Sequence, residues 1–136
     1  MSYDRFPETK IIGYDHEVFN DEQAIYQELL KYKDLHCLVV DCYPGVDNEI
    51  FRLIKRIYQP EIIIKSEDIF YDSKILNDKM KANLTDDRVR GVMYYGVMGD
   101  FVDYNKLVEV NQLLANKDKK ILIYGVGAGL ISTGDL

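Results

Sequence analysis

Short apolar runs alternate along the chain with segments whose apolar residues recur at helical spacing. The clearest runs are residues 37–41, 61–65 and 121–124, and all three are rich in valine, isoleucine or leucine. Runs of this kind are typical of strands that are buried on both faces of a sheet. Strands that alternate with helices pair in parallel through right-handed crossovers, so the pattern predicts an α/β domain.

Helices are predicted in the segments between and beside these runs. The first begins at Asn20, where Gln23 three residues later completes a capping box, and runs to about Lys33. The second begins at Asp47 or Asn48 and ends at Pro60, a third follows Asp72 or Ser73, and a fourth follows residues 100–103. The apolar side chains expected to share one face of the first, second and fourth helices are Ile25, Leu29, Tyr32 with Leu30 beside them, Ile50, Phe51, Ile54, Ile57, Leu107, Val110 and Leu114. The short third helix contains Ile75, Leu76 and Met80.

Two further segments have weaker patterns. Residues 10–14 are a candidate edge strand. Residues 91–96 are either a further strand or an ordered loop, and their aromatic and β-branched content favours the strand.

The predicted architecture is a three-layer α/β domain with a mostly parallel sheet and helices on both faces. Residues 1–136 are long enough for one such domain. A glycine-rich loop after a strand normally leads into a helix, whereas this sequence stops shortly after residues 125–129. We therefore expect residues 1–136 to be the N-terminal fragment of a longer chain.

Composition limits the cellular location and the classes of binding partner that can be expected for this protein. The net charge is −6 without any block of basic residues, which argues against nucleic acid or an anionic membrane as a partner. No apolar run approaches the roughly 20 residues that span a bilayer, and the N-terminus lacks the order of a signal peptide. The two cysteines, Cys37 and Cys42, are expected to be reduced, so a cytoplasmic location is predicted.

Candidate binding residues follow each predicted strand. In parallel sheets ligands bind at the carboxyl ends of the strands, so these residues should meet in one cleft. The cleft would bind a sugar, a phosphosugar or a similar polyhydroxylated molecule, with a divalent cation held by carboxylates as a further option. The candidates are Asp41, Tyr43, Gly45, Asp47, Glu67, Asp68, Tyr95, Gly125, Gly127 and Gly129.

Several of these residues also have a purely structural interpretation. Asp47 and Asp72 are favoured as helix caps, and Glu67 suits a solvated turn. For Asp41 and Asp68 the structural and the ligand-binding interpretations stay equally open. The glycines offer backbone amides to a phosphate, although tight packing at a strand end explains them equally well.

No known catalytic or metal-binding motif is complete in this sequence. The glycine loop does not have the Gly-X-Gly-X-X-Gly spacing, and the loop after the first strand lacks Gly-Lys-Ser/Thr, which argues against nucleoside triphosphate binding there. His16 and His36 do not have the spacing of metal ligands. Neither a metal site nor a catalytic residue is assigned.

Two resemblances to known families add to these predictions. The segment IKSEDIFY at 64–71 is similar to the strand exit of uridine-kinase-like P-loop proteins, in which an acidic residue before Phe-Tyr faces the acceptor hydroxyl. Asp68 or Glu67 would match that residue. The glycine-lysine cradle of those kinases is absent, so the resemblance implies a degenerate P-loop fold.

The broader resemblance is to the N-terminal region of long bacterial proteins of the class I mannose-6-phosphate isomerase family. It implies that a kinase-like α/β region precedes a cupin barrel, which carries the zinc ligands and isomerises mannose 6-phosphate and fructose 6-phosphate. Zinc and catalysis would then belong to the C-terminal domain, which would also be a partner of this region. The segments that carry the resemblance are VDCYPGVD at 40–47, SEDIFYD at 66–72, NLTDDR at 83–88, GVMYYG at 91–96 and YGVGAG at 124–129.

Three hypotheses follow for the region itself. The leading one is a noncatalytic sugar-binding, phosphosugar-binding or assembly module. The alternative is a divergent nucleoside or sugar kinase in which Asp68 is the base and Asp41 lies near a metal ion. The third is a purely structural interaction domain.

Overall fold

A computed structural model describes residues 12, 13, 19, 21–87 and 90–135 of the chain. Its sheet contains three parallel strands, β1 (Cys37–Asp41), β2 (Ile62–Lys65) and β3 (Ile121–Gly125), in the spatial order β1-β3-β2. The helices are α1 (Glu22–Leu30), α2 (Asn48–Tyr58), α3 (Ser73–Met80) and α4 (Tyr104–Leu114). Short 3-10 helices lie after β2 at Ser66–Ile69, before α4 at Met98–Phe101 and after β3 at Ala128–Leu130.

The central strand β3 divides the core into two clusters. Ile121 and Ile123 point to one side and Leu122 to the other, as the two-residue period of a strand requires, and all three are fully buried. The first cluster contains Cys37, Ile64, Ile69, Val110, Ile121, Ile123, Ala128 and Ile131. The second contains Leu38, Ile54, Tyr58 and Leu122.

Tyr58, at the end of α2, joins that helix to the amino end of the sheet. Its side chain is only 1% exposed, and its hydroxyl lies 2.8 Å from the carbonyl oxygens of both Leu35 and His36 and 3.2 Å from that of Ile121. Lys120 covers the ring, with its ammonium 4.5 Å from the ring centroid, and donates to the Tyr58 carbonyl at 2.8 Å. The burial of a phenol is tolerated here because its hydroxyl has acceptors.

The α/β class and the parallel pairing of the three predicted strands are confirmed. Val39 and Ile64 both pair with Ile123, so the strands are aligned with their carboxyl ends at one edge. β2 begins at Ile62, one residue later than predicted.

The first helix differs from its prediction at both ends. Its N-cap is Asp21, whose carboxylate accepts a hydrogen bond of 2.7 Å from the Ala24 N–H, and the helix ends at Leu30. The predicted cap Asn20 lies outside the described residues, as does most of the candidate edge strand at 10–14.

Residues 91–96 are an irregular segment, so the favoured strand prediction is wrong and the loop alternative holds. The Val92 N–H donates to the Asn83 carbonyl at 2.9 Å, and the Asn83 amide donates back to the carbonyls of Val92 and Met93. These bonds hold the segment to a turn rather than to a sheet edge, which β-propensity alone does not anticipate.

The buried faces of the helices are partly as predicted. Val110 is buried on α4, whereas α3 buries no side chain and Ile75 is exposed. On α2 the buried residues are Ile54 and Tyr58, and Ile50 is 45% exposed. At about 100° per residue, Ile50 falls at the margin of a stripe centred on these two side chains.

Candidate functional site

A cavity of about 540 Å³ opens where the three strands end. In the sheet, Asp41 is aligned with Gly125 and Lys65 with Tyr124, so the three exit loops begin at the same level. The cavity is lined by the loop after β1, by the first two turns of α2, by the turn after β2 and by the end of β3. The three strand exits therefore meet around one cavity, as predicted.

The glycine loop beside this cavity is held by a carboxylate of the chain itself. The Gly127 N–H donates to one oxygen of Asp41 at 2.9 Å, and the Gly129 N–H donates to the other at 3.0 Å. The Cys42 N–H donates to the Gly125 carbonyl at 3.1 Å and extends the pairing of β1 with β3. These amides were predicted to bind a phosphate, and the Asp41 carboxylate takes the place of that anion.

Gly125 forms part of the cavity wall at a point where no side chain fits. Its φ is +130°, and a Cβ added there would lie 2.3 Å from the Ser66 hydroxyl oxygen. Ser66 is itself only 3% exposed, so it has little room to move aside. Close packing of β3 against the turn after β2 accounts for this glycine.

An aromatic pair forms part of the apolar wall of the cavity. The rings of Phe51 on α2 and Tyr124 on β3 lie 4.9 Å apart between centroids, tilted by 56°. Burial, helped by a hydrogen bond with the Cys42 side chain, raises the pKa of Tyr124 to about 12. The phenol is therefore neutral at physiological pH and adds no charge to the cavity.

The charged part of the cavity is mainly cationic. Arg52 and Lys55 on α2 and Lys65 at the end of β2 line it, together with the carboxylate of Glu67. Lys65 pairs with Glu67 at 3.2 Å, and both side chains are largely exposed. Within the part of the chain that the structure describes, Arg52 and Lys55 make neither an ion pair nor a side-chain hydrogen bond.

Four of the predicted binding residues line the cavity. These residues are Tyr43, Gly45, Glu67 and Gly125. Tyr43 is 87% exposed at the rim, and Gly45 has a φ of +88°, with open space where a Cβ would be.

The other predicted residues lie elsewhere. Asp47 is the N-cap of α2 and accepts from the Glu49 N–H at 2.9 Å, as its structural interpretation holds. Asp68 is exposed in the turn after β2 and does not line the cavity, and Tyr95 is 88% exposed in the 91–96 loop. Asp41, Gly127 and Gly129 bond to one another beside the cavity. Asp72 occupies the N-cap position of α3, but its carboxylate accepts from Lys106 at 2.7 Å and makes no capping bond.

The cationic residues of α2 were missed by sequence reasoning, which considered only the apolar stripe of that helix. A usable signal was present, because Asn48, Phe51, Arg52 and Lys55 follow the spacing i, i+3, i+4 and i+7. Residues at this spacing share one helix face. A polar and aromatic face at the carboxyl edge of a parallel sheet is a candidate for ligand contact.

Across residues 21–87 and 90–135, no three side chains of histidine, cysteine, aspartate or glutamate converge as a metal-binding group. His36, the histidine in this part of the chain, lies 3.2 Å from the Asn116 carbonyl oxygen at the opposite end of the sheet. None of the described helices is long and apolar enough to cross a membrane.

Comparison with known proteins gives a family assignment. The family model described as "Domain of unknown function (DUF8485)" matches residues 21–136, which include all three strands and all four helices. The chain belongs to the DUF8485 family. No curated protein and no solved structure matches it. The cavity thus lies entirely within the DUF8485 domain, since every residue that lines it falls between positions 42 and 126.

Proposed function

We propose that this DUF8485 domain is a noncatalytic module that binds a small sugar or phosphosugar at the carboxyl edge of its sheet. The observation that carries the proposal is the cavity formed jointly by all three strand exits. Its volume of about 540 Å³ falls within the range of small-molecule sites in proteins, roughly 300–1,000 Å³.

The chemistry of the lining supports such a ligand. Small-molecule sites combine apolar and aromatic walls with a few polar groups that fix orientation. Here Phe51 and Tyr124 supply the aromatic wall, and Arg52, Lys55 and Glu67 supply the polar groups. A polyhydroxylated ring presents both an apolar face and hydrogen-bonding edges to such a surface.

The placement of the acidic residues supports a binding role without catalysis. Asp41 is engaged by two backbone amides, and Asp68 does not line the cavity. Among the described residues, Glu67 is the only carboxylate on the cavity wall, and it pairs with Lys65 at an exposed position. General acid–base catalysis needs a group within hydrogen-bond reach of the substrate, and neither Asp41 nor Asp68 lines the cavity.

The isomerase resemblance supports a wider proposal. In it, this domain has a three-layer, degenerate P-loop arrangement, works in the cytoplasm and assembles with its own C-terminal zinc cupin domain. Among the described residues, no three histidine, cysteine, aspartate or glutamate side chains converge as a metal-binding group, so we assign no step of an isomerisation to them. A reading frame that continues past Leu136 into a β-rich segment with clustered histidine and glutamate would support this, and one that stops there would contradict it.

Binding to the cavity is tested with a matched pair of tyrosine variants. Saturation-transfer NMR would be recorded with mannose, mannose 6-phosphate and fructose 6-phosphate at up to about 10 mM. Tyr43 and Tyr95 are exposed to the same degree, 87% and 88%, but only Tyr43 lines the cavity. We expect Tyr43→Ser to weaken the signal of at least one of these ligands and Tyr95→Ser to leave it unchanged.

Two outcomes would contradict the proposal. One is the absence of any signal from all three ligands with the wild-type domain. The other is magnesium-dependent ATP binding in the micromolar range, which would favour the kinase alternative.

A further inference from the structure

The charge of the cavity differs in sign from that of the whole chain. The chain has a net charge of −6, whereas the described residues of the cavity wall carry three cationic side chains against one carboxylate, a formal charge of +2. A cleft lined by one sign of charge concentrates ligands of the opposite sign. The excess is located on Arg52 and Lys55 of α2 and on Lys65 of β2.

Arg52 and Lys55 are the cations that are free to meet a ligand. They are separated by three positions, so they lie on one face of α2, and both line the cavity. Within the described ranges neither has an acidic partner. Lys65 is already paired with Glu67, but the pair is exposed, and exposed pairs of this kind are worth little and are easily exchanged.

The glycine loop does not compete for the same role. Its amides at Gly127 and Gly129 donate to the Asp41 carboxylate, so the usual means of holding a phosphate at this edge of a sheet is already filled. Recognition of an anionic group therefore falls to the side chains of α2. The arginine is suited to it, because its planar guanidinium can bind two oxygens of a phosphate at once.

From these observations we infer that the cavity selects phosphate monoesters over neutral sugars, with Arg52 and Lys55 as the residues that recognise the phosphate. A phosphate monoester carries nearly two charges at neutral pH, so it gains more from these cations than a monocarboxylate does. Phe51 is next to Arg52 on α2, so the aromatic pair lies beside the proposed phosphate position. The rest of the ligand would contact that pair. The inference rests on the proposed function and names the ligand class of the same site.

The test compares two charge-matched double variants by isothermal titration with mannose 6-phosphate, mannose and inorganic phosphate. Arg52→Gln with Lys55→Gln removes the two cavity cations. Arg56→Gln with Lys74→Gln removes the same charge from exposed positions on α2 and α3 that do not line the cavity. We expect the first double variant to bind mannose 6-phosphate about tenfold more weakly than wild type and the second to change it by less than about twofold.

Salt gives a second readout, because the affinity of the wild type for mannose 6-phosphate should fall as ionic strength rises. Circular dichroism would check that both double variants are folded. If mannose and mannose 6-phosphate bind the wild type equally, or if both double variants lose affinity equally, the inference is wrong while the proposed sugar binding stands. If mannose, mannose 6-phosphate and fructose 6-phosphate all fail to bind the wild type, the proposed function fails and the inference fails with it.

Discussion

The carboxylate of Asp41 lies 2.9 Å from the backbone nitrogen of Gly127, although the two residues are 86 positions apart in the chain. The bond joins the end of β1 to the loop that leaves β3. With the second bond to Gly129, it fixes the path of that loop at the edge of the cavity. The acidic residue that sequence reasoning offered to a ligand is therefore satisfied by the protein's own backbone.

Removing the Asp41 carboxylate should destabilise the domain. We expect Asp41→Ala to lower the free energy of unfolding by about 1–3 kcal/mol, because two amides lose a charged acceptor, and Asp41→Asn to cost less, because one acceptor oxygen remains. Urea denaturation measures both values. The matched control is Asp68→Ala, which removes an exposed carboxylate and should stay within about 0.5 kcal/mol of wild type.

A small carboxylate should partly replace the missing side chain. Formate at high concentration is expected to stabilise Asp41→Ala more than it stabilises wild type, because a ligand that binds only the folded state adds to its stability. Equal effects of formate on both proteins, or equal stabilities of Asp41→Ala and Asp68→Ala, would show that the loop does not depend on this anion.

Gly125 tests the packing at the cavity wall. Gly125→Ala would place a Cβ 2.3 Å from the Ser66 hydroxyl oxygen at a φ of +130°, so we expect a loss of more than about 2 kcal/mol. The control Gly45→Ala also has a positive φ, +88°, but meets no atom within 4 Å, and should cost only about 1 kcal/mol. Adding Ser66→Gly to Gly125→Ala should recover part of the loss. Similar losses in the two single variants would refute the steric explanation.

The Tyr58 hydroxyl should contribute to stability separately from the packing of its ring. Tyr58→Phe keeps the ring beneath Lys120 but removes the donor that lies within 3.2 Å of three carbonyl oxygens, and we expect it to cost about 1–3 kcal/mol. Tyr104→Phe, at an exposed position on α4, is the control and should change little. Thermal and urea unfolding measure the difference, and equal curves for the two variants would mean that water satisfies the carbonyls equally well.

High pH should weaken the folded state through the same residue. Burial raises the pKa of Tyr58 from 10.0 to about 12, so the unfolded chain releases the phenolic proton first. The resulting stability is complete below about pH 10 and is lost as the pH rises towards 12. Tyr124 has the same raised pKa and acts in the same direction. Denaturation at pH 9, 10 and 11 should show a smaller decline for Tyr58→Phe than for wild type, and identical declines would contradict this assignment.

The strands and most helix starts were within reach of sequence reasoning because their causes are local. A run such as residues 121–124 has no polar side chain before its tyrosine, so it suits a position with both faces covered. Asp47 and Asp103 cap α2 and α4 with bonds that span two residues, to Glu49 and Asn105. Such short-range rules do not need the tertiary structure.

Sequence reasoning failed or stayed open where distant segments decide the outcome. The role of Asp41 stayed open because it depends on a loop more than eighty residues away, and the strand favoured at residues 91–96 is a loop because Asn83 holds it. The cationic face of α2 was overlooked since apolar periodicity predicts which side of a helix is buried, but it does not predict which of the other sides borders a cavity. Only the sheet order β1-β3-β2 brings that face to Tyr124.

That sheet order has a consequence for how the chain folds during its synthesis. β1 and β2 are made first, but each is hydrogen-bonded to β3, which lies between them. A nascent chain still short of position 121 therefore has two unpaired strands and cannot form the sheet seen here. The sheet can therefore form only after the ribosome has released the third strand. The paired strands are far apart in the sequence, and contacts of this kind slow folding.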